Sequence, residues 1–174
     1  MKKLTAAIAA LALYCSASAF GPGPSNELSA LLTPVDAKVV KPEKVGRVIT
    51  ASFNKQFAEA GNVSWKEKDG LYFGYFKQNE LDVFAAFADD GSLFAVARQL
   101  ILADLPGAIT DKLKDKYSDC TIVGNASKID MNGETAYYVN VENKTHVKVL
   151  KFYEDGQVET FKSTKRKVLV GTVM

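Results

Sequence analysis

The residues of this chain that could do chemistry are few. Thiol catalysis would have to draw on Cys15, Cys120 and the single histidine, His146. A reactive thiolate needs a base or a cation beside it. His146 lies in the strand-like run THVKVLKF, and no spacing marks it and Cys120 as a dyad. Cys120 therefore reads as a small hydrophobe in a strand or turn. Carboxylates occur side by side at Asp89-Asp90 and Glu154-Asp155. Glycoside hydrolysis would want two of them facing each other across a cleft. Both pairs instead precede a glycine, where Asp serves turn geometry. The chain has no HExxH, CxxC or histidine cluster, and its acidic residues lack calcium-loop spacing, so neither a metal nor a cofactor is expected. Phosphate-binding glycine loops and a Gly-x-Ser-x-Gly elbow are also absent. Three Asn-x-Ser/Thr acceptor patterns begin at Asn62, Asn125 and Asn143, a pattern common by chance. The basic run KSTKRK, residues 162–167, reads as a solvated chain end; aromatics interleave with it too poorly for a nucleic-acid patch. No enzyme is expected.

Recognition is the remaining chemistry, and its residues are concentrated. The stretch from Asn62 to Gly91 holds the only tryptophan, Trp65, with Tyr72, Phe73, Tyr75, Phe76, Phe84 and Phe87. A half-buried strand alternates apolar and polar residues. This one is apolar on both parities from Leu71 to Phe76, so both of its faces need an account.

The elements that position these residues follow from periodicity. Val45, Val48, Ile49, Phe53 and Phe57 fall on one helical stripe from Lys44 onward, stopped by Gly61-Asn62. Strands are predicted over residues 63–68, 71–78, 81–88 and 93–100, with Asp69-Gly70 as a hairpin turn. The pattern then recurs. LADLPGAITDKLKDKY has Leu105, Ile109, Leu113 and Tyr117 spaced by four, with Pro106 in its first turn. Strands are predicted over 121–129, 134–142, 145–153 and 157–163, and FADDG and FYEDG occupy corresponding turns. A lone helix on a small sheet is marginal, so the two units are expected to share one longer sheet or to pack end to end.

Parity then divides the aromatic stretch. Tyr72 and Phe76 share a face with Gly74, whose missing side chain would let the helix approach. Val83, Ala85 and Phe87 suit packing under that helix. Phe73, Tyr75 and Phe84 fall on the opposite face, near Ala86, Ala95 and Ala97, with Trp65 at a border. This face is either an apolar platform for a protein or peptide, or it is covered by the second unit, the lead-in or another protomer.

The first residues carry an address. Lys2 and Lys3, the short apolar run 4–13 and Ala17-Ser18-Ala19 occur in the order of a secretory signal, with cleavage expected after Ala19. Tyr14 before Cys15 argues against a lipid anchor, and no later run is apolar enough for a membrane helix. Removing residues 1–19 from the 174 leaves 155, with 20 basic and 20 acidic side chains in place of 22 and 20. No net charge remains to favour nucleic acid or anionic lipid. Cys120 is then the one cysteine, without an intramolecular disulfide partner.

Several of these pieces together carry a family resemblance: Phe53 and Phe57 of the helix, NVSW at residues 62–65, Phe87 with Asp90-Gly91, Leu105-Pro106, Lys116-Tyr117, YYV at 137–139 and Asp155-Gly156. In this order the chain resembles the PepSY-like, beta-lactamase-inhibitor-like periplasmic proteins of Gram-negative bacteria over about residues 45–163. The resemblance implies tandem helix-on-sheet units and a protein-binding or inhibitor-like role, and it brings no catalytic residue. Members often carry Glu or Lys on the outward parity of the second strand, where this chain has Phe73 and Tyr75.

The resulting expectation is an α+β protein, two tandem helix-plus-four-stranded antiparallel sheet units resembling the beta-lactamase inhibitors. Its parts are a signal peptide (1–19), an extended lead-in (20–44), the first unit (45–101), the second unit (102–163) and a tail (164–174). The expected function is non-enzymatic binding of a protein or peptide in the periplasm or outside the cell, hydrolase inhibition included. Phe73, Tyr75, Phe84 and Trp65 are the binding residues, with no nucleic-acid partner and no membrane insertion after cleavage. The alternative is a small-molecule or lipid carrier using a cleft between helix and sheet.

Overall fold

The computed structural model describes residues 36–166. The cleavage point, Cys15, residues 20–35 of the lead-in and residues 167–174 of the tail lie outside them. Ten strands and two α-helices follow in chain order. These are β1 (Lys38–Val40), α1 (Arg47–Gln56), β2 (Ser64–Lys68), β3 (Leu71–Gln78), β4 (Leu81–Phe87), β5 (Leu93–Leu100), α2 (Gly107–Lys116), β6 (Thr121–Ile122), β7 (Ala126–Met131), β8 (Glu134–Glu142), β9 (His146–Tyr153) and β10 (Val158–Lys165). A single 3₁₀ turn precedes each helix, at Pro42–Lys44 and Leu102–Asp104.

The expected fold class is corrected here. The strands form one ten-stranded sheet in the order β1-β2-β3-β4-β5-β7-β8-β9-β10, with β6 paired to β8. Of the described residues 49% are strand and 20% helical, so this is one antiparallel sheet carrying two helices, not two tandem helix-plus-four-strand units. Edge strand β1 adds a strand that the repeat does not contain. The predicted strand over 121–129 is broken into β6 and β7, with Gly124 at φ +69° between them.

The chain divides into two compact units whose boundary is not sequential. The turn Asp130–Gly133 groups with residues up to Gln99, and the rest from Leu100 onward forms the second unit. In the first unit the Asn132 N–H donates to the Phe94 carbonyl at 3.2 Å.

The first unit's core lies between α1 and one face of the sheet. Ile49 and Phe53 of α1, with Val45 before it and Phe57 after it, pack on Trp65, Phe76, Val83, Ala85, Phe87 and Val96. The rings are in direct contact: Phe53 lies 5.1 Å from Phe76 and 5.3 Å from Trp65, both edge-on, and Phe57 lies 4.9 Å from Phe76. Edge-on contacts of this kind add to what area burial supplies. Val48, expected in the stripe, is 59% exposed. It reaches instead toward the turn that joins β4 to β5. A Cβ on Gly91 would lie 2.7 Å from Val48 Cγ1, and Gly91 is at φ +80°, so both space and backbone demand glycine there.

Gly74 has a different role from the one expected. It pairs with Trp65 across β2–β3, and a Cβ there would sit 3.2 Å from the indole and 3.3 Å from Val63. The missing side chain makes room for Trp65, not for the helix.

The second unit is built on its own helix. Ile109 and Leu113 of α2, with Leu105, pack on Ala126, Tyr137, Val139, Val141, Leu150 and Phe152. Pro106 sits at the N-cap of α2, one position before its expected place in the first turn. The register of β10 on β9 shifts between Thr160 and Lys162, a bulge around Phe161.

Candidate functional site

The hairpins that carry the helix-side core also fix what faces away from α1. Across β2, β3, β4 and β5 the register aligns Lys66, Phe73, Ala86 and Ala95 in one row. The next row is Ser64, Tyr75, Phe84 and Ala97. Side chains in register share a face, so the sequence parity of Phe73, Tyr75 and Phe84 is correct. Phe73 stacks on Phe84 with centroids 5.9 Å apart, and Tyr75 meets Phe84 edge-on at 5.1 Å. Lys66 Nζ lies 5.3 Å from the centre of the Tyr75 ring, a cation over an aromatic face. One end of the patch is polar: Lys77 pairs with Asp82 at 3.6 Å, and the Asp82 N–H donates to Gln99 Oε1 at 3.5 Å.

The structure brings three of the four predicted binding residues together and removes the fourth. Trp65 points to α1 and is buried against Phe53 and Phe87. Of the two alternatives expected for this face, a platform or a covered surface, the burial is that of a covered one. Phe73 and Phe84 are 0% and 1% exposed, and Ala86, Ala95 and Ala97 are buried with them. Tyr75 is half-buried. Burial pushes its phenol well above the ordinary tyrosine value, as expected for a hydroxyl whose charged form would be poorly solvated.

The second unit has an aromatic and charged cluster that sequence reasoning did not single out. Tyr138, Lys151 and Glu159 pair across β8, β9 and β10. Lys151 Nζ donates to the Tyr153 hydroxyl at 2.9 Å, and that hydroxyl donates to Glu159 Oε1 at 2.8 Å. Burial opposes the charge on Lys151, but the Tyr153 hydrogen bond and nearby Tyr138, Tyr153 and Glu159 hold the ammonium above its ordinary value. Phe161, 39% exposed, meets the Tyr138 ring edge-on at 5.3 Å. Parity alone could have grouped Tyr138 with Lys151 and Tyr153. The bulge that delivers Phe161 has no signature in the sequence.

The residues weighed for catalysis are held in structural roles. Asp90 Oδ1 accepts from the Ser92 N–H at 2.9 Å and its hydroxyl at 2.6 Å, and these bonds lower the Asp90 pKa. Asp155 accepts from the Gln157 N–H and side chain at 2.9 and 2.8 Å. Both are turn-closing carboxylates. Burial and the neighbouring Asp119 raise the Cys120 thiol above its ordinary value, opposite to an activated nucleophile. His146 Nδ1 lies 2.8 Å from Thr145 Oγ1. Among the described residues no cluster of three His, Cys, Asp or Glu could hold a metal ion, and no buried side-chain polar atom lacks a partner.

Comparison with known proteins adds the fold. No protein-family model and no curated protein matches the chain. Solved structures do. A BLIP-like protein from Bacteroides fragilis is 17% identical, with a TM-score of 0.58 over 69% of this chain and 85% of its own. A DUF2874 family protein from Bacteroides uniformis is 15% identical, with a TM-score of 0.58 over 69% and 88%. A protein from Bacteroides eggerthii, provisionally described as periplasmic, is 15% identical, with a TM-score of 0.59 over 70% and 88%. At such identities the likeness is one of fold. It agrees with the inhibitor-like part of the resemblance and does not bear on the PepSY-like part. No helix of the described residues is long and apolar enough to cross a membrane.

Proposed function

We propose that this chain is an exported, non-enzymatic module that binds a protein or peptide, with an inhibitor-like mode of action, in the periplasm or outside the cell. One observation carries the reading. The strands β3–β5 hold a continuous apolar face of Phe73, Phe84 and three alanines, with Tyr75 beside them, on the side away from α1. The α1 core already contains the rings that the first unit needs, so a second apolar face is surplus to that packing. Tyr75, half-buried and rimmed by Lys66 and Lys77, is the part of this face open to a partner, while Phe73 and Phe84 are buried beside it. The signal-like N-terminus and the provisional periplasmic description of one fold neighbour support the compartment. The BLIP-like neighbour supports the inhibitor-like mode by analogy of fold.

The carrier reading is weaker because the space between α1 and the sheet is filled by Phe53, Phe57, Trp65, Phe76 and Phe87, in ring contact with one another. The test uses mature protein as bait in periplasmic extract, followed by titration with the captured species. Tyr75→Ala is the informative variant, since Tyr75 is half-buried and its loss leaves the α1 core intact. Capture should weaken by about 2 kcal/mol, as for a central aromatic anchor, with circular dichroism unchanged. Unchanged capture places the partner on another surface.

A further inference from the structure

The sheet ends on two unequal strands: β1 is three residues long and β10 is eight. β10 pairs with β9, and among the described residues no strand lies on its other side. An edge of this length presents a row of backbone N–H and C=O groups to a further strand. The ladder fixes which residues these are. Along an antiparallel pair, residues alternate between exchanging hydrogen bonds across the pair and turning their N–H and C=O outward. The Arg166 N–H donates to the Thr145 carbonyl at 2.8 Å, and the Tyr153 N–H donates to the Gln157 carbonyl at 2.9 Å. Followed through the register from either end, the alternation gives one answer on both sides of the bulge. Lys162 and Thr164 bond to Val149 and Val147, whereas Ser163 and Lys165 turn outward.

The side chains around these outward groups are basic. Ser163 lies opposite Lys148, and Lys165 lies opposite His146, so Lys148 and Lys165 share one face as diagonal neighbours. Among the described residues neither has a carboxylate within salt-bridge distance, while Lys151 and Arg166 are paired with Glu159 and Glu142. Lys162 adds its charge on the other face. Ser163, Thr164 and Lys165 are exposed, and the two hydroxyl side chains are small enough to leave the edge open to a neighbour. Lysines and a bulge are devices that keep like edges from joining. A second copy of β10 would bring one basic strand beside another, and like charges facing each other across a ladder are destabilising. A strand bearing Asp or Glu meets the opposite condition. Its main chain extends the ladder, and its carboxylates lie next to Lys165 and Lys148. The lysines that exclude a second copy therefore favour an acidic strand.

We propose that the outer edge of β10, at Ser163 and Lys165, is a docking site for an extended acidic segment of a partner protein, which joins the sheet as one more strand with its carboxylates on Lys148 and Lys165. The site is built wholly from the second unit and does not use Tyr75, so either surface can fail without the other. In strand addition the main-chain hydrogen bonds supply affinity and alternate side chains supply choice. Phe161, 39% exposed at the bulge, adds an apolar contact to the same edge. The charge selection is a surface effect, so it weakens as salt is raised.

The test is amide hydrogen exchange, residue by residue, in the chain from Phe20 onward. The probes are an extended peptide of alternating Thr and Glu, as long as the eight residues of β10, and the same peptide with Lys in place of Glu. In the unbound protein the Lys162 and Thr164 amides should exchange slowly and those of Ser163 and Lys165 fast. The Glu peptide near saturation should slow Ser163 and Lys165 by about tenfold and leave Lys162 and Thr164 as they were. The Lys peptide should slow neither. Lys148→Glu/Lys165→Glu should reverse the preference between the peptides. If that variant melts lower than the parent, Lys148→Gln/Lys165→Gln should still abolish slowing by the Glu peptide. Ser163 and Lys165 amides already slow in the unbound protein would mean that the edge is covered, and would overturn the proposal. Equal slowing by both peptides, or binding of the Glu peptide with these amides still fast, also overturns it. So does a single-stranded oligonucleotide or an anionic phospholipid vesicle that binds at Lys148 and Lys165 where the Glu peptide does not, since the basic edge would then serve phosphate.

Discussion

Tyr75 and the two turn glycines show how single residues report on the surfaces around them. The Tyr75 phenol is held neutral by burial, so its folded pKa lies above its unfolded value near ~10. The native state then binds the proton more tightly than the unfolded state does. Stability is unaffected below about pH 10 and falls as pH rises beyond it, for as long as the native phenol stays protonated. Absorbance titration at 295 nm should show one tyrosine ionising after the others, and Tyr75→Phe should remove that late step and lessen the alkaline loss of stability. Titration of Tyr75 with the bulk tyrosines would mean that its side chain is solvated. Gly91 and Gly156 share φ +80°, but only Gly91 is crowded, by Val48 at 2.7 Å against Ala108 at 3.7 Å for Gly156. Gly156→Ala should therefore cost about 1 kcal/mol from backbone strain alone, and Gly91→Ala measurably more. Equal losses in urea melts would show that Val48 yields without cost.

At the scale of elements, α1 is the clearest test of packing. Phe53 touches four rings, those of Phe57, Trp65, Phe76 and Phe87, while Val48 on the same helix is exposed. Phe53→Ala should cost about 3–5 kcal/mol and Val48→Ser within about 0.5 kcal/mol, measured by chemical denaturation. A small loss at Phe53 would undo the core assignment. The elements themselves were largely legible. Strands β3, β5 and β8 fall at their predicted bounds, because turn residues such as Asp69-Gly70, Asn79-Glu80 and Asn132-Gly133, all at positive φ, leave little freedom. What parity could not supply was pairing between non-adjacent parts of the chain. The repeat FADDG and FYEDG left open whether the two units share one longer sheet or pack end to end, and the strands form one sheet. Short β1 was invisible because three residues carry no periodicity, and Val39 in it is exposed. For the site, parity correctly put Phe73, Tyr75 and Phe84 on one face. Whether that face is covered depends on contacts distant in sequence, and alternation carries no such information. Parity leaves Trp65 at a border, because nothing in the sequence marks its cross-strand partner, Gly74, as the notch that admits an indole.

For the whole molecule, compartment and cysteine chemistry make a joint prediction. If the secretory signal is used, the cell-derived chain begins at Phe20 and retains Cys120 as its one cysteine. An exported protein meets oxidising conditions, where an exposed thiolate would pair with another chain or be oxidised. Cys120 is protected in two ways: it packs against the α2 core near Ile122 and Tyr117, and burial with Asp119 beside it disfavours the thiolate. N-terminal sequencing should read Phe-Gly-Pro-Gly, and the protein should run as a monomer on a non-reducing gel. Reductant should leave its melting temperature unchanged. A thiol reagent should label the folded protein far more slowly than the urea-unfolded protein at the same pH, because reaction follows the thiolate and its access. An intact Met1 on the cell-derived chain would remove the export claim. A reductant-sensitive dimer would show that Cys120 is available to a second chain.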